Sequence, residues 1–396
     1  MIYRLKIIFV LVLIIQGCRE HAKIKERIAS DTFSRMVRDS ITSLDSLASV
    51  YYIGNPTLSL AFARKAIMFA KTLQSPTDIC LAYNAAGQAH YSSLKDSSFY
   101  FFTRALALAD SIKYLKIIPQ LLYNLSEIYL DAGNYKTSLK LLDSCIQVAV
   151  SQNDFKNISA SYNVIGLIQV ETGDSLLGYK MFSNALNIAI EHNLYRETGN
   201  ALGNLALYEK DYSRMMDLYR GSIRSLGKVR GTAGEIAMVY MDMGVKLKNP
   251  DSSKLYYRKA LAAIKNNLPV VSIAAYNNLA YAYMDHKELV QAILCIRDTA
   301  IPLAIKYQND DWLATLYDTF GEILSAKGDF KTAYEYERMR GEERDKVYSS
   351  KNKQQIRLLS AMLDLKNKEC NGKHNKQETC IVYLKCLKRI PGKYQT

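Results

Sequence analysis

Histidines and cysteines are the residues here that could hold a metal or act as a base or nucleophile. The five histidines are His21, His90, His192, His286 and His374. No two lie four residues apart, which excludes HExxH chemistry and a paired-imidazole zinc site. Cys80, Cys145 and Cys295 stand alone in apolar, helix-spaced stretches and read as buried thiols. Cys370, Cys380 and Cys386 cluster near the carboxyl end around His374, with gaps of 9 and 5 residues that match no common zinc spacing. No G-x-G-x-x-G, G-x-x-x-x-G-K-[ST] or G-x-S-x-G segment occurs, so nucleotide and α/β-hydrolase chemistry have no local support. Glu342 and Glu343 fall in a charged stretch that reads as a solvated face. With no nucleophile beside a base, the expectation is a protein without catalysis, cofactor or metal.

The elements that position side chains are read from composition. In 396 residues, 49% are apolar and 23% charged, enough to bury a core. Only 19 Gly and 7 Pro occur, beside 29 Tyr and one Trp. Long helices are therefore expected rather than a loop-rich β-sandwich. The net charge of +14 is concentrated at the ends: residues 1–29 carry six Lys/Arg against two acids, and residues 351–396 carry eleven against three. The body is nearly neutral, which disfavours nucleic acid as a ligand of the folded region, since counterion release needs clustered cations.

At the amino end, Arg4 and Lys6 precede the apolar run Ile7 to Ile15, too short to span a bilayer but suited to a signal-peptide core. The run closes on Ile15-Gln16-Gly17-Cys18, which resembles the lipobox of bacterial lipoproteins. That resemblance implies export, lipidation of Cys18 and a body facing the periplasm or cell surface. An ordinary signal peptide with an incidental Cys18 is the alternative.

A recurring unit fills the rest: an apolar helix with a small residue at its centre, a Gly-Asp/Asn-aromatic turn, and a second helix rich in Ala and aromatics. One copy runs Leu125-Ser126-Glu127-Ile128-Tyr129, Gly133-Asn134-Tyr135, Ser138, Leu142, Cys145. Others contain Gly166, Gly173-Asp174, Phe182 and Ala185; Leu279-Ala280, Tyr283, Leu289 and Ala292; and Phe320-Gly321, Gly328-Asp329-Phe330 and Ala333. The unit resembles the tetratricopeptide repeat. Aligning the central small residue gives Gly87, Ser126, Gly166, Gly203, Gly244, Ala280 and Gly321, spaced 39, 40, 37, 41, 36 and 41 residues apart. A degenerate eighth copy precedes them, with Leu44 and Leu47 on its first helix and Ser59, Ala63 and Ala66 on its second.

The resemblance implies an all-α solenoid, a right-handed superhelix of helical hairpins with a concave face that binds a protein or peptide. It further implies that the position three residues before the small one faces the groove: Asn84, Tyr123, Asn163, Asn200, Met241, Asn277 and Asp318. The next position on that face holds Gln88, Glu127, Leu167, Asn204, Val245, Tyr281 and Glu322. Amides donate and accept, so such a ladder can pair with an extended peptide backbone; it can equally tie adjacent repeats together. Cations are almost absent from these positions, which disfavours a carboxylate clamp.

The expected organisation is a signal segment over 1–18, a tether and helical lead-in over 19–39, repeats over 40–345, a polar helix over 346–369 and a basic, disordered tail over 370–396. In that helix Ile356, Leu359 and Leu363 have coiled-coil-like spacing. The segment from Asp345 to Gln355 resembles the linker of exported repeat proteins in Bacteroidetes-type bacteria, where a membrane span and an output module usually follow. Two roles follow: a lipid-anchored adaptor, or the sensory ectodomain of a transmembrane transcriptional regulator or kinase whose span and output module are missing.

Overall fold

The computed structural model describes residues 39–44, 47, 56–91, 95–247, 249–265 and 268–372. Cys18, the signal segment and the tail beyond residue 372 lie outside the described residues. After a helical segment at 39–44, the chain forms α1 (Pro56–Leu73), α2 (Pro76–His90), α3 (Lys95–Ser111), α4 (Ile118–Asp131), α5 (Tyr135–Gln152), α6 (Phe155–Glu171), α7 (Ser175–Glu191) and α8 (Tyr195–Tyr208). It continues through α9 (Tyr212–Leu226), α10 (Ala233–Lys246), α11 (Pro250–Ile264), α12 (Pro269–Asp285), α13 (Leu289–Cys295), α14 (Ile301–Lys306), α15 (Asp310–Lys327) and α16 (Phe330–Gly372). No strand occurs among the described residues.

Each hairpin turn is written in its residues. Gly133, Gly173 and Gly328 have φ of 72°, 97° and 88°, a left-handed conformation that stops the first helix without a Cβ clash. The next residue caps the second helix: Asn134, Asp174 and Asp329 accept from the backbone N–H three residues on, at 3.1, 2.9 and 3.2 Å. Asp211 and Asn249 do the same for α9 and α11.

The two helices of a hairpin meet at the small residue. A Cβ on Gly87 would sit 2.4 Å from the Phe102 ring; on Gly166, 2.5 Å from the Phe182 ring; on Gly244, 2.4 Å from the Tyr257 ring. The carbonyl at this crossing is also used: Ser98, Ser138 and Ser253 on the second helix donate to Gly87 O, Ser126 O and Gly244 O at 2.7, 2.8 and 2.8 Å. In repeat three Gly178 replaces that serine, and its Cα lies so close that a Cβ would come within 2.9 Å of Gly166 O.

First helices of neighbouring repeats touch at every junction from α4 through α6, α8, α10 and α12 to α15, whereas second helices of neighbouring repeats make no comparable contact. The stack therefore curves with its first helices inside. Cys80, Cys145 and Cys295 are buried free thiols, pushed up to about 11, 12 and 11 by burial. Repeat six departs from regularity: Pro302 has no N–H to give, and a π turn over Ile296–Ala300 joins α13 to α14.

The carboxyl end differs from expectation. The polar helix expected over 346–369 is the distal part of α16, which runs unbroken out of the last repeat. Its buried contact is also not the expected seam. Ile356 and Leu359 are exposed, while Leu358 is 4% exposed in a cluster with Cys80, Phe99 and Phe102 of the first repeat, flanked by Ala361 and Met362. Leu358, Ala361 and Met362 follow i, i+3, i+4 spacing, so the stripe that meets α3 decides which face turns inward.

Gly166→Leu should cost about 1–3 kcal/mol by overpacking against Phe182. Gly203→Ala, whose Cβ meets nothing closer than Ser222 Oγ at 3.5 Å, should be neutral or stabilise by up to about 1 kcal/mol; chemical denaturation distinguishes the two. Leu358→Ala should cost about 2–5 kcal/mol of local stability, read as faster amide exchange in the distal half of α16 and in α3.

Candidate binding groove

The groove wall consists of α2, α4, α6, α8, α10, α12 and α15, and the amides that line it divide into two sets. Asn84 is half-buried and accepts from Asn124 Nδ2 at 2.9 Å, Asn124 itself accepting from Gln120 at 2.9 Å. Asn163, 8% exposed, accepts from Asn204 Nδ2 at 3.2 Å. Buried Asn277 accepts from Thr319 Oγ1 at 2.9 Å, and the same hydroxyl lies 3.3 Å from the Tyr281 hydroxyl. The bonds Asn84–Asn124, Asn163–Asn204 and Asn277–Thr319 each join one first helix to the next, so these side chains hold adjacent repeats in register. Asn200, by contrast, is exposed and its amide has no partner among the described residues.

At the amino-terminal end, the groove carries a connected polar cluster. The Tyr123 hydroxyl donates to Glu127 Oε1 at 3.1 Å, one turn along α4. A further turn along, Asp131 accepts from the Tyr91 hydroxyl at 2.7 Å and pairs with Lys95 at 2.7 Å. Burial pushes Glu127 up to about 7; Asp131 adds to the shift, and the Tyr123 hydrogen bond partly offsets it. Burial likewise raises the Tyr91 hydroxyl, reinforced by Glu127 and Asp131. At the other end Asp318 pairs with Arg340 at 2.9 Å, beside a cavity of about 460 Å³ where Glu322, Phe330 and Tyr334 line the space between α15 and α16.

The middle of the groove is the open part. Besides Asn200, Val245 is 67% exposed, and Asn278 and Asp285 have no hydrogen-bond or ion-pair partner among the described residues. Asn278, Tyr281 and Asp285 line a second cavity, of about 290 Å³, between repeats five and six. Next to it Asp242 is pushed up to about 6 by burial, with Lys246 opposing. Asn278 and Asp285 lie outside the positions the resemblance places in the groove. The legible signal was an acid at the last position of α12, the negative end of the helix. Gln88 and Tyr123 are half-buried and engaged within the molecule.

The sequence matches no protein-family model and no curated protein. Solved structures do align along nearly its whole length. The apo form of the quorum sensor NprR from B. thuringiensis is 16% identical, with a TM-score of 0.52 over 86% of this chain and 98% of that one. A Rap protein complexed with competence and sporulation factor is 10% identical, with a TM-score of 0.51 over 87% of this chain and 100% of that one. The fold is a tetratricopeptide-like α-solenoid. Within that fold, no group of three or more His, Cys, Asp or Glu side chains capable of holding a metal occurs among the described residues.

Glu127 makes a pH prediction whose sign is fixed by the direction of its shift. A carboxyl raised above its ordinary value of 4.5 contributes stability below that value and loses it as pH rises through about 7. Relative to Glu127→Gln, which keeps an oxygen to accept from Tyr123, the native protein should lose on the order of 1–3 kcal/mol between about pH 5 and about pH 8. Denaturant midpoints of the two proteins at both pH values check it.

Proposed function

We propose that this chain is an exported, lipid-anchored scaffold that binds a protein or peptide segment in its concave groove, without catalysis. The observation that carries the binding part is the division of the groove. Asn84, Asn163, Asn204 and Asn277 are spent on neighbouring first helices, while Asn200 of repeat four and Asn278 and Asp285 of repeat six have no hydrogen-bond or ion-pair partner among the described residues, the last two lining open space. A stretch of unspent donors and acceptors on a pre-formed concave wall suits an extended segment, whose backbone they would pair. Two proteins of the same fold supply precedent, Rap complexed with competence and sporulation factor and NprR as a quorum sensor. The anchor rests on Cys18 after the apolar run, which puts the groove in the periplasm or at the cell surface.

A sensory role, with this chain as the ectodomain of a membrane regulator, has one structural feature in its favour. Helix α16 leaves the last repeat and packs on α3 of the first, so both ends of the groove bear on one helix. A change of curvature on ligand binding would strain that contact.

Photo-crosslinking in cells separates groove from background. A probe at Asn200 or Val245 should capture a discrete partner that a probe at exposed Leu176, on the second helix of repeat three, does not. Identical capture from both sites would remove the groove as the binding surface. Substituting Cys18 by Ser should release the protein from the membrane fraction.

A further inference from the structure

The cavity between repeats five and six has one polar wall left incomplete. Tyr257 on α11 lines it and is 5% exposed, and its hydroxyl has no hydrogen-bond partner among the described residues. Asp285, opposite, ends α12, where the helix dipole disfavours an anion and the last turn contains no base. The nearby cation Lys254 is engaged elsewhere, with Glu288 at 2.6 Å and Asp251 at 2.9 Å.

Repeat two contains the completed version. Asp131 stands five residues after Ser126, as Asp285 stands five after Ala280. Asp131 is met by two groups from the preceding repeat, the Tyr91 hydroxyl and the Lys95 ammonium, both at 2.7 Å. In repeat six the preceding repeat brings Tyr257, from the helix crossing, near the acid, but its cations Lys246 and Lys254 act on Asp242 and on Glu288 and Asp251, and neither pairs with Asp285.

We propose that this cavity receives the cationic end of a Lys or Arg side chain from a bound peptide. Asp285 supplies the counter-charge, the Asn278 amide oxygen and Tyr257 hydroxyl accept N–H bonds, and the Tyr281 ring offers a face to the cation. Burial, with Asp285 and Asp242 adding, pushes the Tyr257 hydroxyl up to about 12. Both carboxyls act on the Tyr257 hydroxyl, Lys246 partly offsetting Asp242, and Asp285, paired with no cation among the described residues, leaves the cavity a place for a positive guest. At about 290 Å³ the space falls just short of pockets that enclose a whole small ligand, about 300–1,000 Å³, and suits one long side chain. The inference rests on the groove being a peptide site, and specifies which side chain anchors the peptide.

The test pans a random peptide library displayed on phage against the full chain and against Asp285→Asn. Asp285 sits at an exposed helix end, so the variant should keep the native melting temperature. The native protein should select peptides sharing one Lys or Arg position, and Asp285→Asn should lose that preference. The leading peptide should bind about tenfold more weakly when its Arg is replaced by citrulline, a neutral isostere, and that difference should vanish on Asp285→Asn. Peptides selected without a shared cation, or bound equally by Asp285→Asn, would overturn the cation pocket and leave the groove reading intact. Selection of no peptide by the native protein would overturn both.

Discussion

The close crossing of the two helices in each hairpin is the constraint on which the rest of the structure depends. Where Gly166 meets Phe182, or Gly244 meets Tyr257, a ring fills space that any Cβ would occupy. That approach brings the second helix near enough for Ser98, Ser138 or Ser253 to donate to the carbonyl at the crossing. Packing and hydrogen bonding thus both depend on a small residue at the crossing. With each hairpin set in this way, successive first helices come into contact and second helices spread apart, and curvature follows without any long-range instruction.

Curvature places a row of polar side chains on the inner wall, where a group either satisfies a neighbour or stays available. Asn84, Asn163 and Asn277 are spent on Asn124, Asn204 and Thr319. These bonds are worth having because an unsatisfied amide at a helix junction costs more than the bond contributes net. What stands on the next first helix decides which amides are met: Asn204 faces Asn163, whereas the corresponding position after Asn200 is the apolar Val245, and Asn278 has no hydrogen-bond partner among the described residues. The same wall also raises carboxyls: Glu127 and Asp242 lie where neighbouring helices shield them from water without providing a full set of donors.

Helix α16 adds a constraint that no single repeat contains. Emerging from the seventh repeat, it lays Leu358 against the first repeat's Phe99 and Phe102 region. A stack whose repeats otherwise contact only their neighbours thereby gains a contact between its two ends. Its stability then ceases to be a sum of local terms alone.

The helices, the hairpin turns and the repeat phase were legible in the sequence because each depends on residues close along the chain. Gly173-Asp174 states a helix stop and a helix start in adjacent letters, and Gly166 with Phe182 states a crossing at fixed spacing. The buried thiols of Cys80, Cys145 and Cys295 were legible for the same reason. The expected groove positions follow from the repeat phase, but the use of their residues does not. Asn163 and Asn200 look alike in the alignment of repeats; one is bonded across the junction to Asn204 and the other has no partner among the described residues, because which side chains meet across a junction is a property of the stack. The inward face of α16 was likewise decided by α3, so that Leu358 rather than Ile356 or Leu359 is buried. Periodicity alone cannot choose a helix face when the partner lies some 250 residues away. Local chemistry sets the units, and only their assembly decides which polar groups remain for a ligand.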